Sequence, residues 1–302
     1  MATMQPGILT KLYRSLSDAP SEDNELLRAV WQWDHWDVLT AEPGEVDYSV
    51  TKAGEIEALW AIPHGCDPRG VLFCFHGGGY VTGSMYTHRK LFAHMAKAMG
   101  IRALVVNYRL LPEGTCPTPI HDGFTAYRWL LDQGVDPRAM VFTGDSAGGS
   151  LAITSQLRAR HQGLPLAAAT ILLSPWVDLE VNKLSVRSNQ DEDALFTPSA
   201  VKALAQNYLK NVDPTDPAVN PLYADLTGFG PLYIQVGDRE LLLDDSRRLT
   251  WQAQKFGVDV ELEIVPGQQH TFQMMAGRAF EADAAIGRLA TWARGKLGMS
   301  GE

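Results

Sequence analysis

Short continuous apolar runs alternate with helix-periodic stretches along most of the chain. Runs suited to buried parallel strands fall near 71–75, 101–107, 139–143, 169–174, 231–236 and 258–264. Stretches with apolar residues recurring on one helical face predict helices near 87–99, 119–132, 147–161, 243–256 and 278–296. Ahead of these, Val46, Tyr48 and Val50, then Ile56, Ala58, Trp60 and Ile62, occupy alternate positions, which predicts an antiparallel pair at one sheet edge. The succession of strand and helix predicts an α/β fold, with a mostly parallel central sheet and helices on both faces.

Four strand ends carry candidate chemistry. The apolar stretch Met140-Val141-Phe142 leads into Gly144-Asp145-Ser146-Ala147-Gly148, a G-x-S-x-G nucleophile elbow, and a helix-compatible stretch follows. A serine on so tight a turn projects its hydroxyl clear of the backbone, and the close passage of strand and helix admits only small residues at 144 and 148. Upstream, Val71–Phe75 empties into His76-Gly77-Gly78-Gly79-Tyr80. Consecutive glycines there let backbone N–H groups converge on one point. Gly77 and Gly78, joined by Ala147 after the serine, are the expected donors to a carbonyl oxygen that becomes an oxyanion. Losing one such donor typically costs about 10²–10³ in rate. The loop has neither G-x-G-x-x-G nor G-K-[ST], which argues against a phosphate cradle.

The third strand end supplies a base. Glu261–Val265 reads as a strand, and His270 lies in the loop after it, where a serine's general base would stand. An acid to orient that base is expected after Leu232–Gly237. Four carboxylates crowd there, Asp238, Glu240, Asp244 and Asp245, and chain order does not choose between them.

His-Gly-Gly-Gly at 76–79, Gly-Asp-Ser-Ala-Gly-Gly at 144–149 and the late His270 together resemble the hormone-sensitive-lipase-like esterases of the α/β-hydrolase superfamily. Asn107-Tyr108-Arg109-Leu110-Leu111-Pro112-Glu113 and Ser174-Pro175-Trp176 extend the resemblance over about residues 45–295. It implies an α/β-hydrolase fold, with Ser146 as nucleophile, His270 as base and the glycine loop as oxyanion hole. Matching that family's Asp-Glu pair to Asp244-Asp245 puts the acid at Glu240, in place of the usual Asp, with Asp238 as the alternative. Asp145 is expected to brace the glycine loop rather than react.

Two stretches stand outside the alternation. Residues 1–40 carry an apolar, aromatic helical face of Leu26, Leu27, Val30, Trp31, Trp33 and Trp36. In 176–225, Thr197 is an N-cap with Pro198 at the first helical position, followed by Val201, Leu204, Tyr208 and Leu209 at helical spacing. The resemblance makes both parts of a helical cap over the C-terminal edge of the sheet. The expected division is cap helices in 1–40, a core of 41–175 and 226–302, and a cap insertion in 176–225. Tyr80, Asp145, Trp31, Trp36, Phe196 and Tyr208 are then the candidate pocket residues.

Composition narrows the partners. A chain of 302 residues with 45% hydrophobic content can build one large α/β core. A net charge of −9 argues against nucleic acid or an anionic membrane. Nothing approaches eighteen consecutive apolar residues, so no membrane insertion is expected. The cysteines Cys66, Cys74 and Cys116 are odd in number and lack metal-ligand spacing, which points to reduced thiols and a cytoplasmic setting. No metal or organic cofactor is required. The expected activity is hydrolysis of small apolar esters of short to medium acyl length. A lactone hydrolase using the same residues and a non-catalytic small-molecule receptor on the same fold are the alternatives. Some relatives pair through the strand near 258–264, so a homodimer is a further expectation.

Overall fold

The computed structural model describes residues 9–11, 13, 14, 36–181 and 183–299. Most of the expected N-terminal cap, Leu26 through Trp33 with Trp31 among them, lies outside the described residues.

The apolar runs become the strands of one eight-stranded sheet: β1 (Val46–Ala53), β2 (Ile56–Pro63), β3 (Asp67–Phe75), β4 (Ile101–Val106), β5 (Met140–Asp145), β6 (Ala169–Leu173), β7 (Leu232–Gly237) and β8 (Val260–Val265). Their order across the sheet is β1-β2-β4-β3-β5-β6-β7-β8. Strands β3 to β8 run parallel, β1 pairs with β2 antiparallel, and β2 pairs antiparallel with β4. Every residue of β5, β6 and β7 is buried, as uninterrupted apolar runs in a doubly covered sheet require. β3 starts earlier than its apolar run because Asp67, Pro68 and Arg69 are not buried. A register irregularity separates Asp67 from Val71, so the polar start pairs without joining the apolar core.

Helices α1 (Met85–Met99), α2 (Thr118–Asp132), α3 (Ala147–His161), α4 (Ser185–Ser188), α5 (Pro198–Leu209), α6 (Leu243–Lys255) and α7 (Phe280–Lys296) supply the crossovers and the layers. α1 packs with α7 and α2 with α3, while α6 lies on β7 and β8. α1 is closed at both ends by its own sequence. The Ser84 hydroxyl accepts from the N–H of Thr87 in a reciprocal capping box, and Gly100 ends the helix at φ 72°.

From β3 the chain passes to β4 on one side and then returns to β5 on the other. The C-terminal ends of β3 and β5 therefore flank the point where the winding reverses, the usual place for a ligand in an open parallel sheet. The loops that emerge there are the glycine loop and the serine elbow.

Candidate active site

Ser146 follows β5 and takes φ 52°, ψ −121°, a conformation an ordinary residue holds only when its surroundings enforce it. The enforcement is close packing. A Cβ on Gly144 would collide with the backbone of Gly148, and one on Gly148 with the carbonyls of Phe75 and His76. The Ser146 carbonyl accepts from the N–H of Trp176 at 2.9 Å, which ties the elbow to the loop after β6. α3 begins at Ala147, so its positive end faces the serine.

His270 is fully buried, and its Nδ1 lies 2.6 Å from Glu240 Oε2. Glu240 is itself fully buried. Its Oε1 accepts from the Ser174 hydroxyl at 2.7 Å and from the Gly237 N–H at 2.8 Å. Three bonds thus hold the carboxylate, and the imidazole's second nitrogen, Nε2, has no hydrogen bond among the described residues. With the proton on Nδ1 directed at the carboxylate, Nε2 presents a lone pair and can accept a proton. Asp238, the alternative acid, accepts from the Gly267 N–H at 2.7 Å and serves the turn after β8 instead.

The expected oxyanion donors need one correction. The Gly77 N–H donates to Asp145 Oδ1 at 3.0 Å, and its carbonyl accepts from His76 Nδ1 at 2.8 Å. Gly77 is therefore the anchor of the loop and not a free donor. The N–H groups of Gly78, Gly79 and Ala147, by contrast, have no hydrogen-bond acceptor among the described residues. Gly78, at φ 109°, could not carry a side chain, whose Cβ would strike the Thr82 carbonyl.

Asp145 is fully buried. It braces the loop through Gly77, and its Oδ2 lies 3.4 Å from His88 Nε2. His88 in turn contacts Thr87 Oγ1 through Nδ1 at 2.8 Å and packs against Trp36. Trp36 is nearly fully buried and also stacks on Tyr13, so it supports the loop through His88. His76 lies stacked on Tyr108, and burial pushes its pKa down to about 3, which keeps it neutral.

The other aromatic candidates converge on the centre. Phe196 meets the His270 ring edge-on at 5.0 Å, and Tyr208 of α5 stacks on Tyr80 at 3.6 Å. Leu204, one turn before Tyr208, lies where a side chain on Gly79 would have to go. α5 thus covers the glycine loop.

Several supporting residues carried no chemical signal in the sequence. Ser174 bonds Glu240 and accepts from the Thr271 N–H at 3.1 Å, so it joins the acid to the residue after His270. Its only sequence trace was its place in Ser174-Pro175-Trp176. Tyr13 donates to the His270 carbonyl at 3.0 Å. Asp193 accepts from the amides of Leu195 and Phe196 and from that of Leu241, so it clamps the Phe196 loop to the segment bearing Glu240. Burial raises its pKa to about 6. Asp245 accepts from the amides of Val177 and Asp178 and pairs with the buried Lys183, which fastens the loop after β6 to α6. Among the described residues no cluster of His, Cys, Asp and Glu could hold a metal ion.

Residues 72–274 match the family model described as the alpha/beta hydrolase fold. An acetyl-hydrolase of Streptomyces hygroscopicus is 36% identical over 259 residues, 84% of this chain and 85% of that protein. An esterase of Acinetobacter venetianus is 37% identical over 224 residues, 74% of each chain. The crystal structure of an esterase from the bacterial hormone-sensitive lipase family superposes with a TM-score of 0.93 at 35% identity, covering 99% of this chain and all of the other.

Proposed function

The chain belongs to the α/β-hydrolase family, among the bacterial hormone-sensitive-lipase-type esterases, and on that footing we propose that it is a serine carboxylesterase acting through Ser146, His270 and Glu240. An enzyme rather than a receptor is what relatives named esterase and acetyl-hydrolase indicate. The observation that carries the residue assignment is the buried 2.6 Å contact of Glu240 with His270 Nδ1, which leaves Nε2 free to act.

In the proposed reaction His270 Nε2 takes the hydroxyl proton as Ser146 Oγ bonds to the ester carbonyl carbon. The carbonyl π pair moves onto oxygen, where the Gly78, Gly79 and Ala147 amides receive it. Glu240 stabilises the imidazolium while it lasts. The intermediate collapses, the alkoxide leaves with the proton from Nε2, and an acyl-serine remains. A water molecule gives its proton to Nε2, attacks the acyl carbon, and expels Ser146 Oγ, which regains its proton.

Short acyl groups are the proposed substrates. Leu204, Tyr208 and Tyr80 fill the space beside the glycine loop, and the Streptomyces relative is named for acetyl hydrolysis. The proposal includes the cap, with α5 as its part over the glycine loop. It also includes a cytoplasmic setting, in keeping with three free thiols, and pairing of two chains through β8 at the sheet edge.

Hydrolysis of p-nitrophenyl acetate, butyrate and octanoate tests the reading. Acetate and butyrate should be turned over faster than octanoate, and Ser146→Ala should lose at least about a thousandfold. A Ser146→Ala protein within tenfold of wild type would remove the serine from the chemistry.

A further inference from the structure

Away from the serine, a cavity of about 730 Å³ opens between the N-terminal part of α2, the last turns of α3 and the segment 212–225. Its size lies within the range of about 300–1,000 Å³ typical of small-molecule sites. Arg158 in its wall stands eleven positions beyond Ala147, about 16 Å along the α3 axis at the 1.5 Å rise of a helix. The cavity is thus separate from the proposed centre.

Its wall carries both signs of charge: Arg158 and Arg160 border it together with Asp216 and Asp225, and burial pushes His121, also in the wall, toward its neutral form. Arg128 stands nearby and shares the Phe124 ring with Arg158, the two guanidinium carbons 5.7 and 5.3 Å from its centroid. None of these arginines has a carboxylate partner among the described residues. Arg160 is satisfied in another way, donating to the carbonyls of Thr227 and Asp225, and so holds the wall in place. Arg158 is not: its Nε is buried and has no hydrogen bond among the described residues. That N–H is covered by protein, but the Nη ends of the guanidinium are not, and they too donate to nothing among the described residues; an acceptor entering the cavity would meet them.

The remaining wall selects the acceptor. Ile120, Leu157 and Val219 are buried apolar residues facing a tail rather than a second charge. Asp216 and Asp225 lie on the rim, each with an oxygen turned onto its own loop, to the N–H of Ala218 at 2.8 Å and of Thr227 at 2.7 Å. Those two carboxylates repel a dianion more than a monoanion. We propose that this cavity is a second, non-catalytic binding site for a small amphipathic monocarboxylate, its head on Arg158 and its apolar body along Leu157 and Val219. Carboxylates of this kind are what ester hydrolysis releases. That link rests on the proposed function, whereas the site does not.

Octanoate is the probe, titrated calorimetrically into protein whose Ser146 has first been blocked with diethyl p-nitrophenyl phosphate. The blocked protein binds one octanoate per chain. Hexanoate binds roughly fifteenfold more weakly, at about fourfold for each of the two methylenes lost, and octyl phosphate binds more weakly than octanoate. Arg158→Gln lowers octanoate affinity at least about tenfold. Ala218→Trp, made at an exposed rim position, fills the cavity and abolishes binding while p-nitrophenyl butyrate hydrolysis stays at the wild-type rate. Absence of binding to the blocked protein, equal affinity of Arg158→Gln and wild type, or tighter binding of octyl phosphate would each overturn the proposal. If the reagent leaves Ser146 unmodified, the serine mechanism fails by itself. The same titration of untreated wild type against Arg158→Gln then decides the site.

Discussion

Replacing Glu240 by Gln perturbs the proposed centre without changing its shape. The carboxylate meets His270 Nδ1 at 2.6 Å, the Ser174 hydroxyl at 2.7 Å and the Gly237 N–H at 2.8 Å. A glutamine has one oxygen with which to meet all three. If that oxygen turns to His270, the amide NH₂ faces the buried Gly237 N–H, and an orphaned buried donor costs about 1–3 kcal/mol; the Ser174 hydroxyl can rotate to accept. If it turns the other way, the NH₂ donates to Nδ1 and drives the imidazole proton onto Nε2, where it blocks the base. In both orientations the imidazolium loses its neighbouring negative charge, a charge-assisted bond worth about 1.5–3 kcal/mol. The orphaned donor weakens ground and transition state alike; the lost charge, about 1.5–3 kcal/mol, lowers kcat by roughly 10–10², and the misplaced proton of the second orientation carries the fall to as much as about 10⁴. Steady-state hydrolysis of p-nitrophenyl butyrate should show that fall with KM within about threefold of wild type, since the acid touches no substrate. Asp238→Asn is the control, because an asparagine oxygen can still accept from Gly267, and it should stay within about threefold. A Glu240→Gln protein within tenfold of wild type, or an Asp238→Asn protein equally impaired, would refute the assignment.

Three other perturbations follow from the wiring around the centre. Ser174→Ala removes a donor to Glu240 and the acceptor for Thr271 N–H, and should cost about tenfold to a hundredfold in kcat/KM; an unchanged rate would mean that the Glu240 carboxylate is held well enough without it. Asp145→Ala orphans the Gly77 N–H and should lower kcat by a similar factor with little change in KM, while Asp145→Asn, which keeps an acceptor, should restore most of it. Equal damage from both would show that the charge matters rather than the bond. For pH, buried His76 takes up a proton only near pH 3, whereas in the unfolded chain it does so near the ordinary 6.5. The unfolded state binds the extra proton between those values, so stability rises with pH across the window and is lost as pH falls from 6.5 toward 3, by about 5 kcal/mol over the full span. His76→Asn should flatten the pH slope of urea-unfolding free energy between pH 6.5 and 4, and an unaltered slope would mean that His76 is not buried neutral. The group with the opposite sign, Asp193 with its raised pKa near 6, is present in both proteins and cancels in the difference.

What the sequence reveals and what it hides divide along one physical line. Strands and helices depend on patterns within a dozen residues, and each strand and helix predicted from those patterns between residues 46 and 296 is present, with ends displaced by a few positions at most, whereas the helical face expected in 1–40 lies mostly outside the described residues. The serine elbow was legible for the same reason, since Gly144 and Gly148 pack against each other within one turn of chain. Hydrogen-bond assignment is not local in this fold. Whether Gly77 donates to a substrate or to the protein depends on Asp145, 68 positions later, because β3 and β5 are neighbours in the sheet. Asp238 and Glu240 are two residues apart in one loop, and their division of labour depends on Gly267 and His270 from the far side of β8. Ser174 is mute in the sequence because a serine's neighbours, here Glu240 and Thr271, come from the ends of two other strands. A parallel sheet brings the ends of successive crossovers to one edge, so each loop there is completed by groups from distant parts of the chain. Residue types at strand ends therefore name the candidates, whereas the hydrogen bonds that divide roles between two candidates in one loop come from distant parts of the chain.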